Sequence, residues 1–112
     1  MKIYSNLYVD EILTSEKEEI LKKIKRNELQ IEIYLIILAK NQKNHLEVYN
    51  SMFLTQQSIS KQEMLLVGIA GGYLNAMNLV EKITQDVYDE TKNTDIRNYV
   101  LKKQLEYEER NV

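Results

Sequence analysis

All three glycines of the chain fall within five positions, in the run Met64-Leu65-Leu66-Val67-Gly68-Ile69-Ala70-Gly71-Gly72-Tyr73. An unbroken apolar run that ends in glycines and passes into helical spacing reads as a buried strand, a tight turn and an amphipathic helix. A strand that is apolar on both faces is a central strand, and it needs cover on both sides. Gly68 inside it implies a bend or the close approach of another backbone. The strand is placed at 63–70 and the helix at 72–91, with Tyr73, Ala76, Met77, Val80, Ile83, Val87 and Tyr88 as the helix's apolar stripe.

A second strand is read over 29–39. Leu29, Ile31, Ile33, Leu35 and Ile37 alternate on one face, and on the other Gln30 and Glu32 give way to Tyr34, Ile36 and Leu38. Residues 45–56 follow helical spacing through Leu46, Tyr49 and Met52 or Phe53, and are read as a short helix. A third strand is the alternative, since Val48, Tyr49, Phe53 and Leu54 also tolerate one. An earlier helix is placed at 10–27. Ser15 and Glu18 have capping-box spacing there, and Leu13, Ile20, Leu21 and Ile24 share a face. Residues 2–13 fit neither a strand nor a helix period throughout. A last helix follows Asn93-Thr94-Asp95 and carries Ile96, Tyr99 and Val100, and the charged end over 106–112 is expected to fray.

These elements predict a single α/β domain over 1–112. Its core is a small two- to three-stranded sheet, built on a βαβ-like unit and packed with flanking helices. Two strands alone are marginal in water, and their edges need cover. Either residues 2–9 add a third strand or two protomers join. Eight tyrosines against one phenylalanine suit a partly wet interface, so a homodimer is expected, with another protein as the further possibility.

Composition narrows the function classes. With 44% hydrophobic and 29% charged residues, the 112-residue chain reads as a folded soluble domain rather than a disordered one. A formal charge of −2 gives no positive field toward nucleic acid or an anionic membrane, and neither is expected as a partner. The absence of cysteine removes disulfides, thiolate metal sites and cysteine nucleophiles. With His45 the single histidine, a His-based zinc site or a Ser–His system lacks its parts. No catalytic residue, metal or cofactor is assigned. The start of the chain, Met1 to Asn6, has no apolar signal core, and the stretch from Ile31 to Ala39 carries Glu32 and is too short to span a bilayer. A cytoplasmic protein is expected. The wealth of Ile, Lys, Asn and Tyr, without Pro or Trp, points to an AT-rich bacterial genome.

The glycine turn is the one candidate site. If 29–39 and 63–70 pair in parallel, their carboxyl ends meet. Lys40, Asn41, Lys43 and His45 then face Gly71, Gly72 and Asn75 across a switch-point crevice. Backbone N–H groups at the helix start would hold a small anion, a phosphate or nucleotide-like group, beside a lysine. The ligand-binding candidates are therefore Gly71, Gly72, Asn75, Lys40 and His45. Antiparallel pairing would put these groups at opposite ends of the sheet. The run departs from G-x-G-x-x-G and lacks the Lys-Ser/Thr pair of a P-loop, so a plain structural turn is the simpler reading. Asp86 and Glu90, one turn apart beside Asp89, have the spacing to share a cation, and a solvated helix face explains them more simply. The same holds for Lys17, Lys22, Lys23, Lys25 and Arg26, which alternate with Glu16, Glu18 and Glu19. The functional expectation is a small protein that acts by association. Binding of a small anion at the glycine turn is the alternative, and enzymatic activity has the least support.

Overall fold

The structure, a computed structural model, describes residues 1–38, 46–55 and 64–111. Four strands form one mixed sheet: β1 (Lys2–Val9), β2 (Ile33–Leu38), β3 (Leu46–Asn50) and β4 (Leu65–Gly71), in the order β1-β4-β2-β3. Three α-helices pack on it: α1 (Lys17–Lys25), α2 (Tyr73–Thr91) and α3 (Ile96–Arg110). A 3-10 segment, Glu11–Glu16, leads into α1, and a second, Ser51–Thr55, follows β3. Among the described residues no helix is long and apolar enough to cross a membrane.

The glycine-terminated run is the centre of the sheet. Leu65, Leu66, Val67, Ile69 and Ala70 of β4 are all buried, because a layer lies on each face. On one side Val67 joins Tyr4 and Ile36 against Ala76, Leu79, Ile83 and Val87 of α2 and Ile96 and Val100 of α3. On the other, Leu66 and Ile69 join Leu35 and Ile37 against Leu13, Ile20 and Ile24 of the 3-10 segment and α1. Each buried Val, Leu or Ile side chain among these contributes about 1.5–3 kcal/mol of transfer free energy. Gly68 is where backbone comes close. A Cβ there would lie 3.3 Å from the Tyr8 carbonyl oxygen and 3.2 Å from Leu79 Cδ2.

The βαβ-like unit is not formed. β2 and β4 pair antiparallel, with Ile33 opposite Gly71 and Leu38 opposite Leu65. Residues 46–50 form a strand and not the expected helix. β3 runs back along β2, with Leu38 opposite Leu46 and Tyr34 opposite Asn50. β4 likewise begins opposite Leu38, so it runs in the direction of β3 and against β2. Leu46 and Val48 pack toward α2 and Tyr49 toward α1, the period of two that a strand requires. β1 supplies the parallel neighbour instead, pairing with β4 from Lys2 opposite Leu65 to Val9 opposite Ile69 across an irregularity between Ile3 and Tyr8. Residues 2–9 thus add a strand, as one of the two expected ways to cover an edge. α3 protects that strand in turn: the Ser5 N–H donates to Gln104 Oε1 at 2.8 Å, and Lys2 pairs with Glu108 at 2.9 Å.

Local signals fare unevenly. Asp95 caps α3, its Oδ1 accepting the Asn98 N–H at 3.1 Å, and α3 continues to Arg110. The Ser15–Glu18 box is not used, because Ser15 lies inside the 3-10 segment and Asp10 caps it. β2 starts at Ile33 and not at 29, because Asn27 and Glu32 take left-handed backbone, with φ of 58° and 64°. Leu29 and Ile31 are consequently exposed, and so are Tyr73, Met77 and Tyr88 of the expected α2 stripe.

Candidate functional site

β1 and β4 are parallel neighbours, and the chain leaves them on opposite faces. After Val9 it passes to the α1 layer, and after Gly71 to α2. That is the geometry of a switch point, where open α/β sheets hold ligands. A crevice of about 320 Å³ opens there, lined by Tyr8, Asp10, Ile12, Asn75, Asn78 and Lys82 among others. Gly71, Gly72 and Asn75 do come together beside it. Lys40 and His45, with Asn41 and Lys43, lie outside the described residues. Leu38, from which the chain leaves β2 toward them, stands opposite Leu65, at the other end of β4 from Gly71.

The polar groups of the glycine turn already have partners. Asp10 Oδ2 accepts the Gly71 N–H at 3.0 Å, and the Glu32 carbonyl accepts the Gly72 N–H at 2.8 Å. Asn75 Nδ2 donates to the Gly71 carbonyl at 2.7 Å. Two carboxylates stand at the N-terminus of α2. One is Asp10, and the other is Glu32, whose Oε2 lies 3.8 Å from where a Gly72 Cβ would be. They meet the positive end of the helix dipole with internal charge and oppose an incoming anion.

Asp10 ties the start of the 3-10 segment to the end of β4, since its Oδ1 also accepts the Ile12 N–H at 3.4 Å. Replacing it with alanine removes the cap and leaves the half-buried Gly71 N–H without its acceptor. Asp10→Ala should cost about 1–2 kcal/mol in urea unfolding. Asp10→Asn keeps an acceptor oxygen and should cost less.

Tyr8 and Lys82, which line the crevice, are also engaged. Burial pushes the Tyr8 phenol up, and its hydrogen bond to Asp86, 2.8 Å long, pushes it further. Lys82 pairs with the same Asp86 carboxylate at 3.5 Å. One turn on, Glu90 accepts from the Tyr99 hydroxyl and pairs with Lys103 at 3.3 Å. Those two partners hold the Glu90 carboxyl below its usual range. The Asp86 and Glu90 carboxylates thus tie α2 to β1 and to α3. Among the described residues, no group of three or more His, Cys, Asp or Glu side chains is placed to hold a metal ion.

The more distinctive feature of this end of the sheet is apolar. Twelve large hydrophobic side chains are exposed among the described residues. Eight of them sit on four segments that meet here: Ile12; Leu29 and Ile31; Met52 and Phe53; and Tyr73, Leu74 and Met77. Backbone geometry brings the segments together. Ile12 lies against Gly71, its Cδ1 2.8 Å from where a Cβ would be. The Gly72 N–H is bonded to Glu32, next to Ile31, and the Ser51 hydroxyl donates to the Gln30 carbonyl at 3.0 Å. The Tyr34 and Tyr73 rings meet edge to face, 5.9 Å apart. Ile31 and Leu74 are the most exposed of the set, at 75% and 77%. Sequence reasoning missed this surface because Ile31 and Leu29 alternate correctly for a strand. The signal against that reading was the polar run Lys25-Arg26-Asn27-Glu28, after which irregular backbone and a second turn continue to Glu32. No protein-family model, no curated protein and no solved structure matches this chain.

Proposed function

We propose that the protein acts by association with another protein chain, and that the apolar end of the sheet is the surface it uses. The observation that carries this reading is the gathering of eight of the twelve exposed large hydrophobics on four segments at that end. Exposed apolar residues scattered singly are ordinary, whereas a gathered group marks an interaction surface. Its content suits the role, with Phe53 and Tyr73 as aromatic anchors and Met52 and Met77 as adaptable contacts. The anionic-ligand alternative has less support, because the Gly71 and Gly72 N–H groups are bonded internally and the Asp10 and Glu32 carboxylates stand beside the two glycines.

The test compares the wild-type chain with an Ile31→Asp/Leu74→Asp variant. Both side chains are exposed, so the fold should survive, which circular dichroism checks. Self-association is read by sedimentation, and binding to other chains by affinity capture from the source cells. Wild-type association that the double variant loses, and that Leu105→Asp on the outer face of α3 retains, is the expected result. Identical behaviour of the wild type and the double variant would refute this reading.

A further inference from the structure

We infer that the partner of this end is a protein segment whose apolar face is flanked by lysine or arginine, and not a second copy docked end to end. The inference rests on the association reading above and specifies the partner. Its basis is a segregation of charge. The four segments that meet here, 10–16, 27–32, 50–55 and 71–78, contain Asp10, Glu11, Glu16, Glu28 and Glu32 and no lysine or arginine. The whole chain holds 15 basic and 17 acidic residues, so the remainder carries more bases than acids.

The acids are interleaved with the apolar side chains. Glu11 lines the crevice beside Ile12. Glu16 and Glu19 form one wall of a second hollow, of about 360 Å³, between α1 and 29–33. Ile20 and Ile33 line the same hollow, and the exposed Leu29 and Ile31 border it. Glu32 stands beside Gly72. The bases at the margin are partly engaged: Lys82 pairs with Asp86 at 3.5 Å, and Arg26 lies 3.9 Å from Glu28. Lys23 also borders the hollow.

A second copy placed end to end would set these acids against their own kind, and like charges facing one another select against a partner. A basic-flanked apolar segment meets both features at once. Its apolar side chains enter the hollow between α1 and 29–33 and cover Leu74 and Phe53, and its cations face Glu16, Glu19 and Glu32. The same charge repels nucleic acid and anionic lipid, so the apolar end is not a membrane dock.

Two synthetic amphipathic peptides test this. They share one leucine face, and one carries lysine at every polar position where the other carries glutamate. Each is titrated into the isotope-labelled full chain and followed by NMR. In low salt the lysine peptide should bind about tenfold or more tightly than the glutamate peptide, and the preference should shrink as salt is added. The perturbed amides should fall in 10–16, 29–33, 51–53 and 72–78. Glu16→Gln/Glu32→Gln should weaken the lysine peptide several-fold with an unchanged melting temperature, and Glu106→Gln/Glu109→Gln should not. Equal binding of both peptides at this end would overturn the charge inference and leave the association reading standing. No binding of the lysine peptide, or binding only to other surfaces, would also overturn the inference. The association reading would fall separately, if Ile31→Asp/Leu74→Asp changed nothing in sedimentation and capture.

Discussion

Ile83→Ala is expected to lower the unfolding free energy by about 2–5 kcal/mol, read by urea titration with the slope unchanged. Ile83 is fully buried midway along α2, in the cluster that joins β1, β2 and β4 to α2 and α3. The substitution removes three carbons from a site bounded by sheet on one side and α3 on the other, where collapse around the void is limited. A domain of this length has roughly 5–15 kcal/mol of stability in total, so the loss is a large fraction of it. Leu74→Ala, on the same helix and 77% exposed, should change stability by no more than about 0.5 kcal/mol. The contrast separates the inner face of α2 from the outer one. A loss under about 1 kcal/mol for Ile83→Ala would mean that α2 does not sit on the sheet as described.

Gly72→Ala is expected to cost about 1–3 kcal/mol from backbone strain alone. Gly72 has φ 98° and ψ 156°, a region that side-chain-bearing residues scarcely enter. Space is not the obstacle, because the nearest atom to an added Cβ would be Glu32 Oε2 at 3.8 Å. Gly71 is the reverse case. Its added Cβ would lie 2.8 Å from Ile12 Cδ1, but Ile12 is 65% exposed and its side chain can swing away. Gly71→Ala should therefore be the milder substitution, although it is the more crowded on paper. Thermal unfolding of the pair measures this, and the opposite ranking would show that the turn takes a different backbone path.

The parts of the fold that could be read from the sequence are those with one dominant cause. The unbroken run at β4 admits little but a strand covered on both faces. Ala76, Ile83 and Val87 recur at a spacing that only a helix turns to one side. The parts that misled have two causes of similar strength. Over 46–50, Leu46 and Tyr49 satisfy a helical stripe while Val48 and Tyr49 satisfy a strand, and five residues are too few to separate them. The choice matters beyond those residues, since a helix there would have suited a parallel crossover from β2 to β4, whereas β2 pairs antiparallel with both β3 and β4. Leu29 and Ile31 misled for another reason. Alternation reports apolar character and not burial, and the left-handed backbone at Glu32 leaves both outside the strand. The candidate site was legible in part. Gly71, Gly72 and Asn75 stand at a switch point, though the strand beside them is β1. The lack of lysine and arginine in the four segments was visible in the sequence, but it acquires meaning only once the topology brings them to one end.

The antiparallel pairing of β2 with β4 is what gathers Ile12, Ile31, Phe53 and Leu74 at one end of the sheet. The chain has no cysteine, so spin labels can be attached at chosen pairs without background reaction. The direct measurement is the electron–electron distance between labels on Ile31→Cys and Leu74→Cys. Antiparallel pairing of β2 with β4 predicts a short separation, both labels standing at the same end of the sheet. Parallel pairing would carry Ile31 to the other end, about 20 Å farther along the strands. A separation lengthened by that amount would contradict the topology, and with it the apolar end and the function proposed for it.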